Sequence, residues 1–146
     1  MRTTFFIALL FACAPALIAQ APDASCCQMR IESDAASAGL LKFTITNLKQ
    51  PLVVVIVNAF ETGVQIKRND GAPVDQTEHG RKMTGAERGG SRDAIMLKTK
   101  ESYSESLDLR QLFELKSGSY TAQLSRDVVI LGARVPLRAT VQVKVP

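Results

Sequence analysis

The spacing of apolar residues changes twice between residues 101 and 126, and this limits the folds open to the chain. Tyr103, Leu107 and Leu109 share one parity, which a β-strand would place on one face. The next apolar residues recur three and four positions apart, which is typical of one helical turn, and an alternation of two then resumes. The segment is therefore predicted to form a strand, a short helix, a turn and a second strand.

Three residues are predicted to fix this crossover. Asp108 precedes the helical turn, where its carboxylate can accept hydrogen bonds from free N–H groups of the first turn. Gly118 ends the helical segment, and Tyr120 follows it. The Tyr120 hydroxyl is predicted to bond to upstream backbone, as in a tyrosine corner, while the chain crosses from one sheet of a β-sandwich to the other.

Alternating polar and apolar residues predict further strands along the chain. They cover residues 28–32, 41–45, 64–68 and 137–145, and strand character without strict alternation predicts two more strands at 52–57 and 92–97. Residues 52–57 are all apolar and five of them are β-branched, which predicts a strand covered on both faces or lying near a sheet centre. We therefore predict an all-β fold, an antiparallel immunoglobulin-like β-sandwich of seven to eight strands with one short helical crossover.

Residues 1–21 are predicted to be a signal peptide. Arg2 supplies the positive charge, an apolar run follows, and Ala19-Gln20-Ala21 fits the small-x-small rule for cleavage. The apolar run is short for a membrane span, which needs about 20 apolar residues. We expect cleavage after Ala21 and export to the periplasm or the medium, with no membrane span afterwards. The alternative is a lipid anchor attached at Cys13.

The mature segment, residues 22–146, is predicted to be one domain. It holds 125 residues (146 − 21), enough for one hydrophobic core and too few for two ordinary domains. Without Arg2 it has 17 basic and 14 acidic residues, a net charge of +3 with the signs interspersed. This mild charge predicts solubility and no nucleic-acid partner.

Two adjacent cysteines, Cys26 and Cys27, remain after cleavage. A disulfide between sequence neighbours is disfavoured because their Cα atoms lie only about 3.8 Å apart. Three alternatives remain for an exported chain. The pair could form an intermolecular disulfide and a disulfide-linked dimer, it could serve as a thiol metal site, or it could open a terminal strand with one thiol buried and one exposed.

Residues 75–91 show no usable periodicity and are predicted to form a long mobile loop. Four of their side chains, His79, Arg81, Lys82 and Arg88, are candidates for contact with a protein partner. These residues would contact the acidic surface of that partner. The alternative is that the loop is only solvated and binds no partner.

The motifs of common enzyme classes are absent from the sequence, so we predict no catalytic residues, no metal site and no cofactor. His79 is the single histidine of the chain. Together with Cys26 and Cys27 it could suit Cu(I), and this gives a thiol or copper-handling alternative. Met29 and Met96 have the parity of strand residues that face a core, so we expect them to be buried.

Three segments give the chain a resemblance to known families. They are Thr-Ile-Thr-Asn at 44–47, Asn-Asp-Gly-Ala-Pro-Val at 69–74, and residues 107–121, which end in Gly-Ser-Tyr-Thr. On these segments the chain resembles bacterial immunoglobulin-like domains of uncharacterised type. It is also loosely similar to the propeptide domains of deuterolysin-like zinc proteases and to the intracellular proteinase inhibitor domains of Bacillus. The resemblance implies an accessory or inhibitory role; Ser117 stands where those domains usually have proline, which relaxes the corner.

Three functions follow as expectations. The first is a non-catalytic secreted or periplasmic binding or accessory module for an unknown protein partner. The second is a protease inhibitor or prodomain-like protein that contacts its target through residues 75–91. The third is a thiol or copper-handling protein.

Overall fold

The computed structural model describes residues 24–34, 37–57, 62–84 and 93–146. The signal peptide, Cys13 and Arg88 therefore lie outside the described residues. The elements in chain order, after a single 3₁₀ turn at Ala24–Cys26, are β1 (Cys27–Ser33), β2 (Leu40–Asn47), β3 (Val53–Val57), β4 (Thr62–Arg68), α1 (Glu78–Thr84), β5 (Asp93–Leu97), β6 (Ser102–Asp108), α2 (Leu109–Leu112), β7 (Gly118–Ile130) and β8 (Ala133–Val145).

The strands form two antiparallel sheets, which confirms the prediction of an all-β fold. The smaller sheet has the order β1-β2-β6. The larger sheet is built on β7, which pairs with β8 along one edge and with β4 and β3 along the other, and β5 pairs with β3. The chain passes from the smaller sheet to the larger one between β6 and β7, where the change of periodicity predicted a crossover.

β3 and β4 follow the same edge of β7 in different registers. Val54 lies opposite Val129, and Thr62 lies opposite Arg126. Between these two pairs β7 advances three residues (129 − 126) while the other chain advances eight (62 − 54), so five residues are extra. The pairing along this edge of β7 is therefore interrupted beside Arg126.

One hydrophobic core lies between the sheets. The alternation of each strand points one set of side chains inward, and burial of their apolar surface contributes roughly 25 cal/mol per Å². The buried residues come from both sheets and from α2: Leu41, Phe43, Ile45, Val53, Val55, Leu97, Leu109, Leu112, Phe113, Tyr120, Ala122, Leu124, Val128, Ile130, Val135, Leu137 and Val143, together with Cys26 and Cys27.

The crossover is held by local hydrogen bonds. The Asp108 carboxylate accepts from the backbone N–H of Arg110 at 3.0 Å and so caps the first turn of α2. Beyond α2, the Tyr120 hydroxyl donates to the backbone oxygen of Lys116 at 2.7 Å and accepts from the Lys116 N–H at 3.0 Å. Gly118 begins β7 with a φ of +150°, a conformation that favours glycine. These bonds direct the chain from one sheet into the other.

The buried amide of Asn47 fixes the turns at the opposite end of the sheets. Its Nδ2 donates to the backbone oxygens of Gln50 and Leu97, and its Oδ1 accepts from the Gln50 N–H. The side chain thus closes the turn between β2 and β3 and ties it to the end of β5. A buried amide is stabilising when it is satisfied in this way.

Three expectations about local structure need correction. Residues 75–91 were predicted to be a loop, but Glu78–Thr84 form helix α1, and residues 85–92 lie outside the described residues. Met96 was expected in the core, yet its surface is 63 % exposed because β5 lies at a sheet edge. The apolar strand β3 does lie between two strands, but Val54 and Ile56 on its outer face are only partly covered.

The hydrogen bonds of the Tyr120 hydroxyl give the first testable prediction. Tyr120→Phe removes one hydroxyl and leaves a part-buried N–H and C=O of Lys116 without their partner, so the free energy of unfolding should fall by about 1–3 kcal/mol. Urea unfolding followed by circular dichroism measures the change. Ser119→Ala, an exposed change on the same strand, is the control and should stay within about 0.5 kcal/mol of the original protein. Equal stability of the Tyr120→Phe variant would contradict a structural corner.

Candidate functional site

A buried arginine lies at the centre of the fold. Arg126 follows the inward parity of β7, which it shares with Tyr120, Ala122 and Leu124, and it is 1 % exposed. Burying an arginine is costly unless its guanidinium is paired and hydrogen-bonded. The contacts of the guanidinium therefore show how the interior of the protein accommodates its charge.

Two of these partners belong to the interrupted edge of β7. One Arg126 nitrogen, Nη2, donates to the backbone oxygen of Ile56 at 2.6 Å, and the other, Nη1, donates to the Thr62 hydroxyl. Ile56 lies in β3 and Thr62 begins β4. The guanidinium thus binds β3 on one side of the break and the first residue of β4 on the other.

Two further contacts of Arg126 come from the smaller sheet. The Glu105 carboxylate of β6 lies 3.9 Å from Arg126 Nη2, and the guanidinium carbon lies 5.9 Å from the centroid of the Phe43 ring. The Tyr103 hydroxyl donates to Glu105 at 2.8 Å, and its ring meets that of Phe43 edge to face at 6.5 Å. A cation over an aromatic face and beside a carboxylate is attracted to both. Arg126 therefore ties the two sheets together.

The surroundings change the acidity of Tyr103. Burial, and then the hydrogen bond to Glu105, raise the pKa of Tyr103 to about 12, while the positive charge of Arg126 acts in the opposite direction. The phenol is therefore neutral at any physiological pH. It serves as a hydrogen-bond donor that holds the Glu105 carboxylate in place.

A small pocket opens beside this cluster, where four elements converge. Its volume is about 50 Å³, and its walls are mainly apolar. Glu105 is the one ionisable side chain among its lining residues, and 29 % of that side chain is exposed. The pocket is lined by Thr62 and Val64 of β4, Gln76, Gly80 and Met83 at α1, Glu105 and Leu107 of β6, and Leu112 and Phe113 at α2. This space suits one small aliphatic group and not a drug-sized ligand, which needs about 300 Å³ or more.

Helix α1 forms one wall of the pocket and is firmly docked on α2. The Thr77 N–H donates to the backbone oxygen of Leu112 at 3.0 Å, and the Thr77 hydroxyl accepts from the Gly80 N–H at 2.9 Å as an N-cap. Gly80 touches α2 so closely that a Cβ there would lie 2.0 Å from the Leu112 oxygen. Only glycine permits this approach, so the glycine at position 80 is required for α1 to pack this closely on α2.

The candidate partner-contact residues lie on this helix as far as the structure describes them. His79 and Lys82 are exposed, and Lys82 forms an ion pair with Glu78 at 2.7 Å. Arg81 donates to the backbone oxygen of Gln76 at 2.6 Å, which ties the helix to the residues that directly precede it. The structure thus places three of the four predicted residues on α1, the helix whose Gly80 and Met83 line the pocket.

Cys26 and Cys27 lie elsewhere, at the start of β1, and both are buried, with 2 % and 7 % of their surfaces exposed. The expectation of one buried and one exposed thiol is wrong. Their sulfurs are 3.1 Å apart, and both cysteines are free. Burial, and then the contact with Cys26, raise the pKa of Cys27 to about 12, the opposite of the change that makes a thiol reactive. Within the described ranges, no group of three or more His, Cys, Asp or Glu side chains could hold a metal ion.

Sequence reasoning missed the two charged members of the cluster. Arg126 shares the parity of Tyr120 and Leu124, and Glu105 shares the parity of Tyr103 and Leu107. Two opposite charges at inward positions of two predicted strands were the signal that could have found them, because a charge at a core position needs a partner.

No protein-family model matches the sequence, and no curated protein matches it. One solved structure, the X-ray structure of the structural genomics target SoR45, is similar over 86 % of this chain and 91 % of its own, with 16 % identity and a TM-score of 0.47. Among the described residues there is no helix long and apolar enough to span a membrane.

The buried cluster predicts a large difference between two arginines. Arg126→Met leaves Ile56 O and Glu105 without their cation, so the free energy of unfolding should fall by about 3 kcal/mol. Arg134→Met is the matched control, since Arg134 is 50 % exposed and pairs with Asp127 at 3.7 Å on the surface; it should cost less than about 1 kcal/mol. Urea unfolding of both variants measures the two values. Equal effects would contradict the conclusion that Arg126 holds the two sheets together.

The raised pKa values predict a loss of stability at alkaline pH. Cys27 and Tyr103 ionise at about 12 in the folded protein but near their ordinary values of 9.0 and 10.0 when unfolded. The folded state therefore holds these protons longer, so its stability is full below about pH 9 and falls as the pH rises towards 12. Urea unfolding at about pH 8 and about pH 11 measures the fall, which Tyr103→Phe and Cys27→Ala should each reduce. A stability that is the same at both pH values would contradict these shifts.

Proposed function

We propose that the protein is an exported, non-catalytic binding module with an immunoglobulin-like β-sandwich as its scaffold and another protein as its partner. The surface that makes the contact is the exposed face of α1 with the pocket beside it. The observation on which this proposal rests is the docked helix together with the apolar pocket and its single carboxylate.

Several features support the immunoglobulin-like form of the scaffold. Among the residues that the structure describes, eight antiparallel strands lie in two sheets over one core, and a short helix joins the sheets. The Tyr120 hydroxyl bonds to backbone four residues upstream, which is the bond of a tyrosine corner. The chain differs from antibody domains in having no tryptophan, and its two described cysteines, Cys26 and Cys27, are free and form no disulfide between the sheets.

The pocket has the character of an anchoring site for one side chain of a partner. Interfaces draw much of their affinity from a few side chains that fill well-packed pockets. The apolar walls would take an aliphatic side chain, and Glu105 at the rim would pair with a basic group next to it. His79 and Lys82 on α1 would supply polar contacts at the edge, which is where solvent-exposed polar contacts belong in an interface.

A second candidate function, protease inhibition, is favoured by the anchoring of α1. An inhibitor needs a pre-organised contact segment, because ordering a mobile segment on binding costs affinity. The bonds from Thr77 to α2 and from Arg81 to Gln76 hold the first part of residues 75–91 in place. A peptidase as the captured partner would distinguish this function from that of a general accessory module.

Photo-crosslinking tests the proposal. The full chain, expressed in a host that exports it, carries p-benzoylphenylalanine in place of His79, and adducts are identified by mass spectrometry. We expect one protein adduct, and we expect Val64→Phe to reduce its yield at least about tenfold because the new ring fills the pocket.

The matched control for this change is Gln65→Phe. Gln65 neighbours Val64 but points away from the core, so the same ring is introduced on the opposite face of β4 and the adduct should persist. Urea unfolding shows that both variants fold. The absence of any adduct, or an equal loss in both variants, would contradict the pocket as the binding site.

A further inference from the structure

The thiols of Cys26 and Cys27 meet although the two residues are adjacent in the sequence. Their sulfurs lie 3.1 Å apart, and both side chains are buried. Neighbouring side chains of a regular strand point to opposite faces, so two such sulfurs would not touch. Here Cys26 ends the 3₁₀ turn and Cys27 begins β1. A helical residue followed by an extended one is the combination at the centre of a type VIII turn, and in this chain it leaves both thiols on one side.

The backbone around the two thiols is held by β2 and by the turn that follows it. The Cys26 carbonyl accepts from the Leu48 N–H at 2.8 Å, and Cys27 pairs with Asn47 in the register of β1 and β2. Asn47 is itself buried, and its amide is hydrogen-bonded to the ends of neighbouring elements. The contact between the sulfurs therefore lies in a fixed part of the fold.

Burial restricts what these thiols can react with or bind. Only 2 % of the Cys26 surface and 7 % of the Cys27 surface are exposed, so a cysteine of a second folded copy does not reach them. Thiol metal sites in proteins usually add further side chains as ligands, and the described part of the chain holds no group of three or more His, Cys, Asp or Glu side chains suited to a metal ion. The group within reach of each sulfur is the other sulfur.

We propose that Cys26 and Cys27 form a vicinal disulfide in the exported protein, with an external disulfide as the oxidant. The inference rests on the proposed export, because disulfides form and persist in oxidising compartments. One cysteine thiolate attacks the external disulfide, which gives a mixed disulfide and releases one external thiol. The second cysteine then attacks the mixed disulfide and releases the other external thiol. One S–S bond forms and one breaks, and two electrons and two protons pass from the cysteines to the external sulfurs.

The folded backbone favours this ring over the two free thiols. The structure describes the reduced form, in which both cysteines are free. A disulfide bond is about 2 Å long, so the two sulfurs need to approach by about 1 Å. The Cα atoms of sequence neighbours are about 3.8 Å apart, below the usual range for a disulfide, so the ring is strained in a chain without suitable structure. A backbone that already holds the sulfurs together offsets part of this strain.

The same burial determines when the exchange takes place. Burial raises the pKa of Cys27 to about 12, so the reactive thiolate is scarce in the folded protein. Exchange therefore occurs while these residues are uncovered, during folding or local opening. Once they are covered, reductants are excluded as well as oxidants. The loss of stability at alkaline pH that the Cys27 thiol predicts applies to the reduced protein.

Intact-mass spectrometry with thiol labelling tests the disulfide. The full chain, recovered from a host that exports it, is unfolded in acid and treated with N-ethylmaleimide before and after reduction. We expect a mass about 2 Da below that of the dithiol form, no label on Cys26 or Cys27 before reduction, and label on both after it. Label on both cysteines before reduction, or a doubled mass that collapses on reduction, would overturn the proposal.

Refolding in vitro separates this inference from the proposed export. The reduced, unfolded full chain is refolded in a mixture of reduced and oxidised glutathione, where the same mass loss should appear whether or not a host exports the chain. In urea the same mixture should give at least about tenfold less disulfide, because the unfolded backbone does not hold the sulfurs together. Two free thiols after refolding, or equal yields with and without urea, would overturn the proposal.

Two variants show which cysteines are joined. Cys13→Ala should keep the mass loss on refolding, because the proposed ring does not include Cys13. Cys13→Ala with Cys27→Ala should abolish it and leave one thiol that is labelled without reduction. A mass loss that disappears in Cys13→Ala would assign the disulfide to Cys13 and overturn the vicinal pairing.

Discussion

The structure depends on how one buried guanidinium is paired. Removing the water around a buried cation costs several kcal/mol, and the loss is offset only when hydrogen bonds and charges take the place of that water. Arg126 obtains them from both sheets: Ile56 O and Thr62 Oγ1 on its own side, and Glu105 with the Phe43 ring on the other. Because these partners come from four strands, the sheets must pack in one relative position to satisfy the charge. Packing of apolar side chains alone would specify that position less strictly.

The same residue connects the fold to the pocket. Pairing along β7 is interrupted beside Arg126, and the guanidinium binds both ends of the interruption. A shift of five residues in register is therefore tolerated beside the packed core between the two sheets. Glu105, which faces Arg126, also reaches the pocket between β4, β6, α1 and α2. A ligand that changes the position of Glu105 would therefore act on the contact between the sheets. The candidate binding site and the structural centre share this one carboxylate.

Much of the fold could be predicted because the strands alternate strictly. The change of spacing around Leu109 predicted the helical crossover, and the alternation from Leu137 to Val145 predicted a two-sided strand. Helix α1 could not be predicted, since its stability comes from docking on α2 through Gly80 and Thr77 and not from an amphipathic repeat. Met96 was misplaced because parity tells which face a side chain occupies but not whether another strand or sheet covers that face.

Contacts from both sheets predict that the Arg126 guanidinium is held rigidly between them. NMR of the protein with ¹⁵N-labelled arginine tests it directly, with Arg126→Lys used to assign the resonance. We predict slowly exchanging guanidinium protons, with their shifts moved by the ring of Phe43 and nuclear Overhauser contacts to that ring and to Tyr103. A guanidinium that exchanges with water as fast as the exposed arginines of the chain, with no contact to either ring, would contradict the account.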